Sequence, residues 1–152
     1  MGSGEKACVQ SRATISLLEH FMESGFDKDI AVKLINSILV LRSHDDSFAT
    51  IDMTVIDLYE GNVEFVKIGG VQSFIKKRKG VETVKSVSLP AGILKNIDLE
   101  LENRNVEEGD FIIMMTDGII DSFQESEEGT AALNKFIDEM NSINPQEIAD
   151  SI

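Results

Sequence analysis

The sequence predicts an α+β fold in which two helices precede a series of antiparallel hairpins, and further helices follow. Two observations lead to this prediction. Apolar residues recur at helical spacing up to residue 41, and from residue 49 onward their period changes to two and is interrupted by glycine-containing turns. A parallel sheet would need strands and helices in alternation, and this order does not provide them. With 152 residues the chain is long enough for one domain, which we expect to span residues 1–152.

Two helices open the chain. The first is predicted over residues 5–24, where Gly25 ends it, and the second starts at Asp27, a residue type that caps helix N-termini. We expect the two helices to pack as a pair through their apolar stripes. The stripes consist of Cys8, Ile15, Leu18 and Met22, with Leu17 and Phe21 beside them, and of Ile30, Leu34, Ile35, Ile38 and Leu41.

Hairpins are predicted in the middle of the chain. The alternating residues from Ala49 to Val55 lead through the turn Glu60-Gly61-Asn62 into a second strand. Lys79-Gly80 marks the turn of a second hairpin, and Leu89-Pro90-Ala91-Gly92 is predicted to be a loop. The predicted strands cover residues 49–55, 63–68, 73–78, 81–87 and 97–101.

A buried strand and an aspartate follow the turn at Gly109. The run from Phe111 to Met115 has no polar interruption, which predicts a strand buried on both faces, and Asp117 stands where that strand leaves the core. Gly118 is expected to free the backbone just after the acid. Two interpretations of Asp117 remain open on this segment. The aspartate either caps a following helix or faces an open pocket and binds hard cations through oxygen.

The last part of the chain is predicted to be helical. A loop carrying Glu125 and Glu127 leads to a helix over residues 130–140. The group Asn144-Pro145-Gln146-Glu147 then starts another helix, because it combines a capping residue with proline at the first helical position. The chain stops soon afterwards at Ile152, which favours a fragment of a longer domain. Asp121, four residues after Asp117, is either a supporting acid or a solvated helix residue.

Composition excludes several classes of function. The formal charge of −13 disfavours nucleic acid, since binding a phosphate backbone needs a surplus of Lys and Arg. A single cysteine, Cys8, and two histidines, His20 and His44, provide no cluster of zinc ligands. No stretch approaches the length of a membrane helix, so we expect a cytoplasmic domain without direct membrane contact. The basic run 76–79 is either a solvated hairpin tip or a docking patch for an acidic or phosphorylated partner.

Several blocks of the chain occur in the order found in a known family. The blocks are Gly2-Ser3-Gly4-Glu5-Lys6-Ala7, Ser47-Phe48-Ala49-Thr50, Lys67-Ile68-Gly69-Gly70, Leu89-Pro90-Ala91-Gly92-Ile93 and Gly109-Asp110 through Thr116-Asp117-Gly118. In this order and spacing they resemble the metal-dependent protein phosphatases of the PPM (type 2C) superfamily, over nearly the whole chain. Within the superfamily they are most similar to the phosphatase domains of the stage II sporulation protein E family.

This resemblance implies a fold, an activity and a site. It implies a sandwich of two mostly antiparallel sheets flanked by helices, with two manganese or magnesium ions at one edge. It also implies a protein serine/threonine phosphatase that acts on a phosphorylated anti-sigma factor antagonist and so activates a sporulation sigma factor. Asp117 matches a metal ligand with a catalytic role, and Thr116, Gly118, Gly2 and Gly4 match supporting positions.

The resemblance also implies what lies outside the chain. In the family the other metal ligands come from an Asp-Gly just before the segment matched by residues 1–4 and from an Asp-Asp-x-Thr motif near the domain's end. We therefore expect these ligands outside residues 1–152, in a domain truncated at both ends and inactive as this chain alone. The alternative is a non-catalytic binding or regulatory module. The first two helices are expected to act as a switch, and open sheet edges or helices to favour a homodimer. The parent is expected to be membrane-anchored through upstream segments.

Overall fold

The computed structural model describes residues 5–42, 48–70, 72–123 and 127–152. Helices frame a central block of strands in this part of the chain, as the sequence predicts. The helices are α1 (Glu5–Glu23), α2 (Lys28–Leu41), α3 (Asp117–Ser122), α4 (Glu127–Glu139) and α5 (Pro145–Ser151). The strands are β1 (Ile51–Ile56), β2 (Asn62–Ile68), β3 (Ser73–Lys77), β4 (Gly80–Val84), β5 (Glu100–Asn105) and β6 (Phe111–Met114).

The strands form two three-stranded sheets, ordered β1-β2-β5 and β4-β3-β6. In the second sheet β3 is antiparallel to both of its neighbours. The prediction of an α+β fold is therefore confirmed. No helix in the described ranges is both long and apolar enough to cross a bilayer.

The chain divides into two compact units. Unit 1 comprises Met1–Met53, Val66–Gly70 and Ser86–Leu101, and unit 2 comprises Thr54–Phe65, Val71–Lys85 and Glu102–Ile152. The expectation that residues 1–152 form a single domain stays a prediction.

The core of unit 1 lies between α2 and the strands of the first sheet. Val32, Ile35 and Leu39 of α2 pack with Val66 and Ile68 of β2. Leu18 and Phe21 of α1 pack against the same cluster, so the predicted pairing of the two helices is confirmed. Each fully buried aliphatic side chain of this kind stabilises the fold by about 1.5–3 kcal/mol.

The predicted apolar stripes of α1 and α2 are partly wrong. Ile15 is 52% exposed, Ile30 is 43% exposed and Leu41 is 80% exposed, whereas Ala31 and Val32 are fully buried. Apolar residues occur on two adjoining faces of α2, and helical spacing does not tell which face meets the strands. Asp27 occupies the N-cap position of α2 as predicted, but its side chain makes no capping hydrogen bond.

In unit 2 the second sheet is covered on both faces. Val63 and Phe65 of β2 pack with Ile75 of β3 and Val84 of β4 in one cluster. On the other face of β3, Phe74 packs with Leu133 and Ile137 of α4. Successive residues of a strand point to opposite faces, so Phe74 and Ile75 fall in different clusters. Within unit 2 the second sheet therefore has residues of β2 on one face and α4 on the other.

The two hairpins are confirmed, with shifted strand ends. Asp57 N–H donates to the carbonyl of Asn62 at 2.8 Å and closes the turn between β1 and β2. Lys77 pairs with Gly80 across the turn of the second hairpin. The strand predicted over 97–101 begins later, at residue 100, because Ile97 and Leu99 pack against the core of unit 1 before the strand starts.

The prediction that residues 111–115 are buried on both faces is wrong for β6. Met114 is 42% exposed, and only Met115, just after the strand, is buried. In the described part of the chain β6 pairs with β3 alone, so its other edge is open. An apolar cavity of about 240 Å³ lies along that edge, lined by Met114, Ile148 and Ile152 among others.

A short helix follows β6 directly. This six-residue helix, α3, agrees with the interpretation of Asp117 as a residue at a helix start, and it replaces the first part of the loop expected ahead of residues 130–140. The predicted helix start at Asn144 is confirmed, because the side chain of Asn144 accepts a hydrogen bond from Gln146 N–H at 2.9 Å. Glu125 lies outside the described residues.

The residues of the basic run 76–79 differ in exposure and in hydrogen bonding. Arg78 and Lys79 are exposed at the hairpin turn, as predicted for a solvated tip. Lys76 is different, since its ammonium donates to the carbonyls of Ile137 and Asp138 at 2.8 and 2.9 Å, at the C-terminal end of α4. A cation there offsets the partial negative charge of the last carbonyls. The docking-patch alternative remains a prediction for the rest of the run.

A buried ion pair connects β1 and β2 in unit 1. The ammonium of Lys67 lies 2.7 Å from a carboxylate oxygen of Asp52, and the two side chains are 1% and 14% exposed. Burying a charge without a partner is strongly unfavourable, so this ion pair stabilises Lys67 in its buried position.

We predict that Lys67→Met lowers the free energy of unfolding by about 2–4 kcal/mol, because it removes the cation that lies 2.7 Å from the partly buried Asp52 carboxylate. Adding Asp52→Leu to Lys67→Met should recover part of that loss. Urea denaturation measures both effects. Lys135→Met is the matched control, since Lys135 forms an exposed pair with Glu139 at 3.8 Å and should contribute less than about 1 kcal/mol. Equal losses for the Lys67 and Lys135 variants would refute the prediction.

Candidate active site

Asp117 stands on a rigid support. The register of β6 is fixed by its pairing with β3, in which Met114 is opposite Ser73 and Phe111 is opposite Lys76. Met115 then enters the cluster formed by Phe74 and α4. Two residues later the chain is exposed at Asp117. The acid therefore lies where a paired and packed strand reaches the surface, as the sequence predicts.

The backbone on the other side of Asp117 is held by α3. Ile119 N–H donates to the carbonyl of Thr116 at 3.1 Å, and Ile119 and Ile120 pack against the same cluster as Met115. Thr116 itself is exposed. Asp117 is thus anchored by the buried Met115 on one side and the partly buried Ile119 and Ile120 on the other, although its own side chain faces solvent.

The carboxylate of Asp117 makes one local hydrogen bond. Its Oδ1 accepts from Gly118 N–H at 2.9 Å, and among the described residues its Oδ2 has no hydrogen-bond partner. Because the carbonyl of Thr116 accepts the first helical bonds, Thr116 occupies the capping position and Asp117 is the first residue of α3. An acid in the first helical turn interacts favourably with the helix dipole. The carboxylate still has lone pairs directed to solvent, so the cation-binding interpretation stays compatible with its geometry.

The expectation for Gly118 is wrong. Gly118 lies within α3 and is not among the glycines with positive φ, so no unusual backbone angle requires glycine there. A Cβ atom at this position would meet nothing within 4 Å. The chain changes direction here through the first turn of α3. It does not use the flexible glycine that the sequence pattern predicts.

The described residues fit part of a metal site. A carboxylate oxygen is a suitable ligand for Mg²⁺ or Mn²⁺. In the described ranges, however, no group of three or more His, Cys, Asp or Glu side chains could hold a metal ion. Gly2 and Gly4 lie outside these ranges, as does the side chain of Asp121. The described part of the chain supplies one hard oxygen ligand, Asp117, and does not supply a complete site for two cations.

Sequence reasoning missed two buried polar residues. Asn36 is 1% exposed on α2, and Lys67 is 1% exposed on β2. Each stands within an otherwise apolar segment, Leu34-Ile35-Asn36 and Phe65-Val66-Lys67. A polar residue in the buried register of such a segment is the signal that could have identified them, because it needs a specific partner.

Comparison with known proteins identifies a family model described as stage II sporulation protein E (SpoIIE), which matches residues 1–152. The chain is 39% identical over 152 residues to the stage II sporulation protein E of Priestia megaterium, covering 100% of this chain and 26% of that relative. The chain thus spans about a quarter of the length of this relative.

Solved structures from Bacillus subtilis agree in fold. One contains the PP2C phosphatase domain and a fragment of the regulatory domain of the cell fate determinant SpoIIE. It superposes with a TM-score of 0.88 at 40% identity, covering 99% of this chain and 45% of that chain. A second is the SpoIIE phosphatase domain presoaked with manganese, with a TM-score of 0.63 at 36% identity, covering 99% of this chain and 63% of that chain.

We predict that Asp117→Asn changes the free energy of unfolding by less than about 1 kcal/mol. The carboxylate is exposed, and the Asn side-chain oxygen can keep the hydrogen bond from Gly118 N–H. Leu133→Ala provides the contrast in urea denaturation, because Leu133 is 1% exposed in the cluster beneath α3 and should lose about 2–5 kcal/mol. A loss at Asp117 as large as that at Leu133 would mean that the acid has a structural role.

Proposed function

The chain belongs to the stage II sporulation protein E (SpoIIE) family, and on that premise we propose that it forms part of a metal-dependent serine/threonine protein phosphatase domain. The observation that carries the proposal is the position of Asp117. The acid is exposed at the end of β6, and its backbone is fixed by Met115 on one side and Ile119 on the other. An acid held in this way can meet a cation without reorganisation of its support.

Asp117 is proposed to bind one of two divalent cations, manganese or magnesium. When bound, such ions activate a water molecule and neutralise the charge that develops on the transferred phosphoryl group. The role of this chain is to hold the carboxylate at a fixed place on the surface. Thr116 and Gly118 support that position through the first turn of α3. The remaining ligands are expected outside residues 1–152.

The proposed substrate is a phosphoserine on an anti-sigma factor antagonist, whose dephosphorylation activates a sporulation sigma factor. This assignment follows from membership of the SpoIIE family and from the order of the sequence blocks around Asp117. The domain is proposed to act on the cytoplasmic side of a membrane-anchored parent, and as a homodimer. The open edge of β6 supports the dimer, because an unpaired strand edge favours association.

A non-catalytic binding or regulatory module is the alternative. It is favoured by the single carboxylate that the described residues offer for a metal site. The two functions differ in their dependence on Asp117, because docking of a partner through another surface does not need this acid.

We predict that Asp117→Asn in the intact protein lowers manganese-dependent phosphatase activity by at least about a hundredfold, since it removes the charge of a direct metal ligand. The assay follows phosphate release from the phosphorylated protein substrate and from p-nitrophenyl phosphate. Asp138→Asn is the matched control, because Asp138 is an exposed aspartate on α4, and it should leave the rate unchanged. An intact protein that binds its partner but shows no Asp117-dependent turnover would favour the binding module.

We also predict that the chain of 152 residues alone does not turn over either substrate with manganese. Two cations at close separation repel each other strongly, and one carboxylate among the described residues offsets little of that repulsion. Robust turnover by the isolated chain, abolished by Asp117→Ala, would show that this expectation is wrong.

A further inference from the structure

Asn36 is a buried amide on the face of α2 that meets the core of unit 1. It is 1% exposed, and Val32, Ile35 and Leu39 on the same helix are also buried. A buried amide that lacks hydrogen-bond partners is destabilising, so the partners of Asn36 are informative. All those given by the structure lie in one segment that is distant in sequence.

The side chain of Asn36 holds the backbone of residues 92–95. Its Nδ2 donates to the carbonyl of Leu94 at 3.0 Å and to the carbonyl of Lys95 at 3.3 Å. Its Oδ1 accepts from Gly92 N–H at 2.8 Å. The amide orientation is unambiguous, because the oxygen faces a donor and the nitrogen faces two acceptors. The Asn36 side chain therefore bonds to the backbone of this segment and not to its side chains.

The segment has few other means of keeping its conformation. Residues 85–99 contain no helix or extended strand, and Ala91 is held by reciprocal hydrogen bonds with Ala49 at 2.9 and 2.8 Å. The apolar side chains beyond that anchor are half exposed, at 49% for Ile93 and 48% for Leu94. Burial of these side chains is partial, so the backbone bonds to Asn36 contribute to fixing the path of residues 92–95.

There is room for the segment to move. A cavity of about 280 Å³ lies between α2 and the segment, lined by Lys33, Ser37 and Lys95 among others. A second cavity of about 260 Å³ is lined by Ser88, Leu94 and Asp98 among others. Close packing, which normally resists small displacements, is absent on these sides of the segment.

We propose that Asn36 is a latch that ties the path of residues 92–95 to the position of α2, so that helix and segment change conformation together. A hydrogen bond weakens steeply once its heavy atoms separate beyond about 3.5 Å. A shift of α2 by roughly 1 Å therefore breaks the three bonds, and residues 92–95, with the exposed side chains of Ile93 and Leu94, are released. The latch does not depend on the proposed phosphatase activity.

Hydrogen–deuterium exchange of the intact protein, followed by mass spectrometry, tests the latch. In Asn36→Ala, peptides that cover residues 90–96 should exchange at least about tenfold faster, because Gly92 N–H loses its acceptor. Asn36→Ser serves if the alanine variant folds poorly. Ser37→Ala is the matched control, since the Ser37 hydroxyl bonds only within its own helix, to Lys33 at 3.0 Å. It should leave exchange at 90–96 unchanged.

A second variant tests the coupling with Asn36 intact. Ala31 is fully buried on α2, and Ala31→Met should displace the helix by overpacking the core. Exchange at residues 90–96 should then rise at least about threefold, while peptides that cover Phe65 and Phe74 stay protected. The proposal is overturned if exchange at 90–96 is unchanged in Asn36→Ala or Ala31→Met. Acceleration by the same factor in every peptide would also overturn it, since that result indicates general destabilisation.

Discussion

The fold depends on the burial of β2 on both of its faces. Val63 and Phe65 enter the cluster with Ile75 and Val84, whereas Val66 and Ile68 enter the cluster with α2. Because side chains alternate along a strand, a register shift of one residue would exchange the two sets and bring each against the wrong neighbours. Lys67 occupies the same strand at 1% exposure, and the Asp52 carboxylate 2.7 Å from its ammonium offsets part of the cost of burying that charge.

Local signals were sufficient to predict much of the fold. The turn at Gly61 and the cap at Asn144 were found because each depends on residues within a few positions of itself. Features that depend on packing between helices and strands were not predicted from the sequence. Ile30 and Val32 are both apolar, and only contact with the strands buries Val32 and leaves Ile30 exposed. The open edge of β6 was missed for a related reason, since an apolar run does not reveal how many strands pair with it.

In the candidate site, too, the sequence predicts features that depend on neighbouring residues and misses contacts between distant residues. Asp117 was identified from its place after an apolar strand, and the structure puts it at the exposed end of β6, between the buried Met115 and the partly buried Ile119. Further ligands of the proposed metal site could not be found from residues near Asp117 in the sequence, because metal ligands come together through the fold and not through sequence proximity. Asn36 is comparable, since its partners at residues 92–95 lie more than 50 positions away. The proposed catalytic function depends on Asp117, and the proposed latch, which is independent of that function, depends on Asn36.

Asp117 is proposed to be a direct ligand of a catalytic divalent cation. A crystal structure of the intact protein grown with manganese, with anomalous diffraction data collected at the manganese absorption edge, tests it most directly. If Asp117 binds the metal directly, an anomalous peak should lie about 2–2.5 Å from one of its carboxylate oxygens. That peak should be lost in Asp117→Asn crystals. Asp117 is not a metal ligand if manganese binds elsewhere and the Asp117 carboxylate is directed to solvent or bonded only to Gly118 N–H.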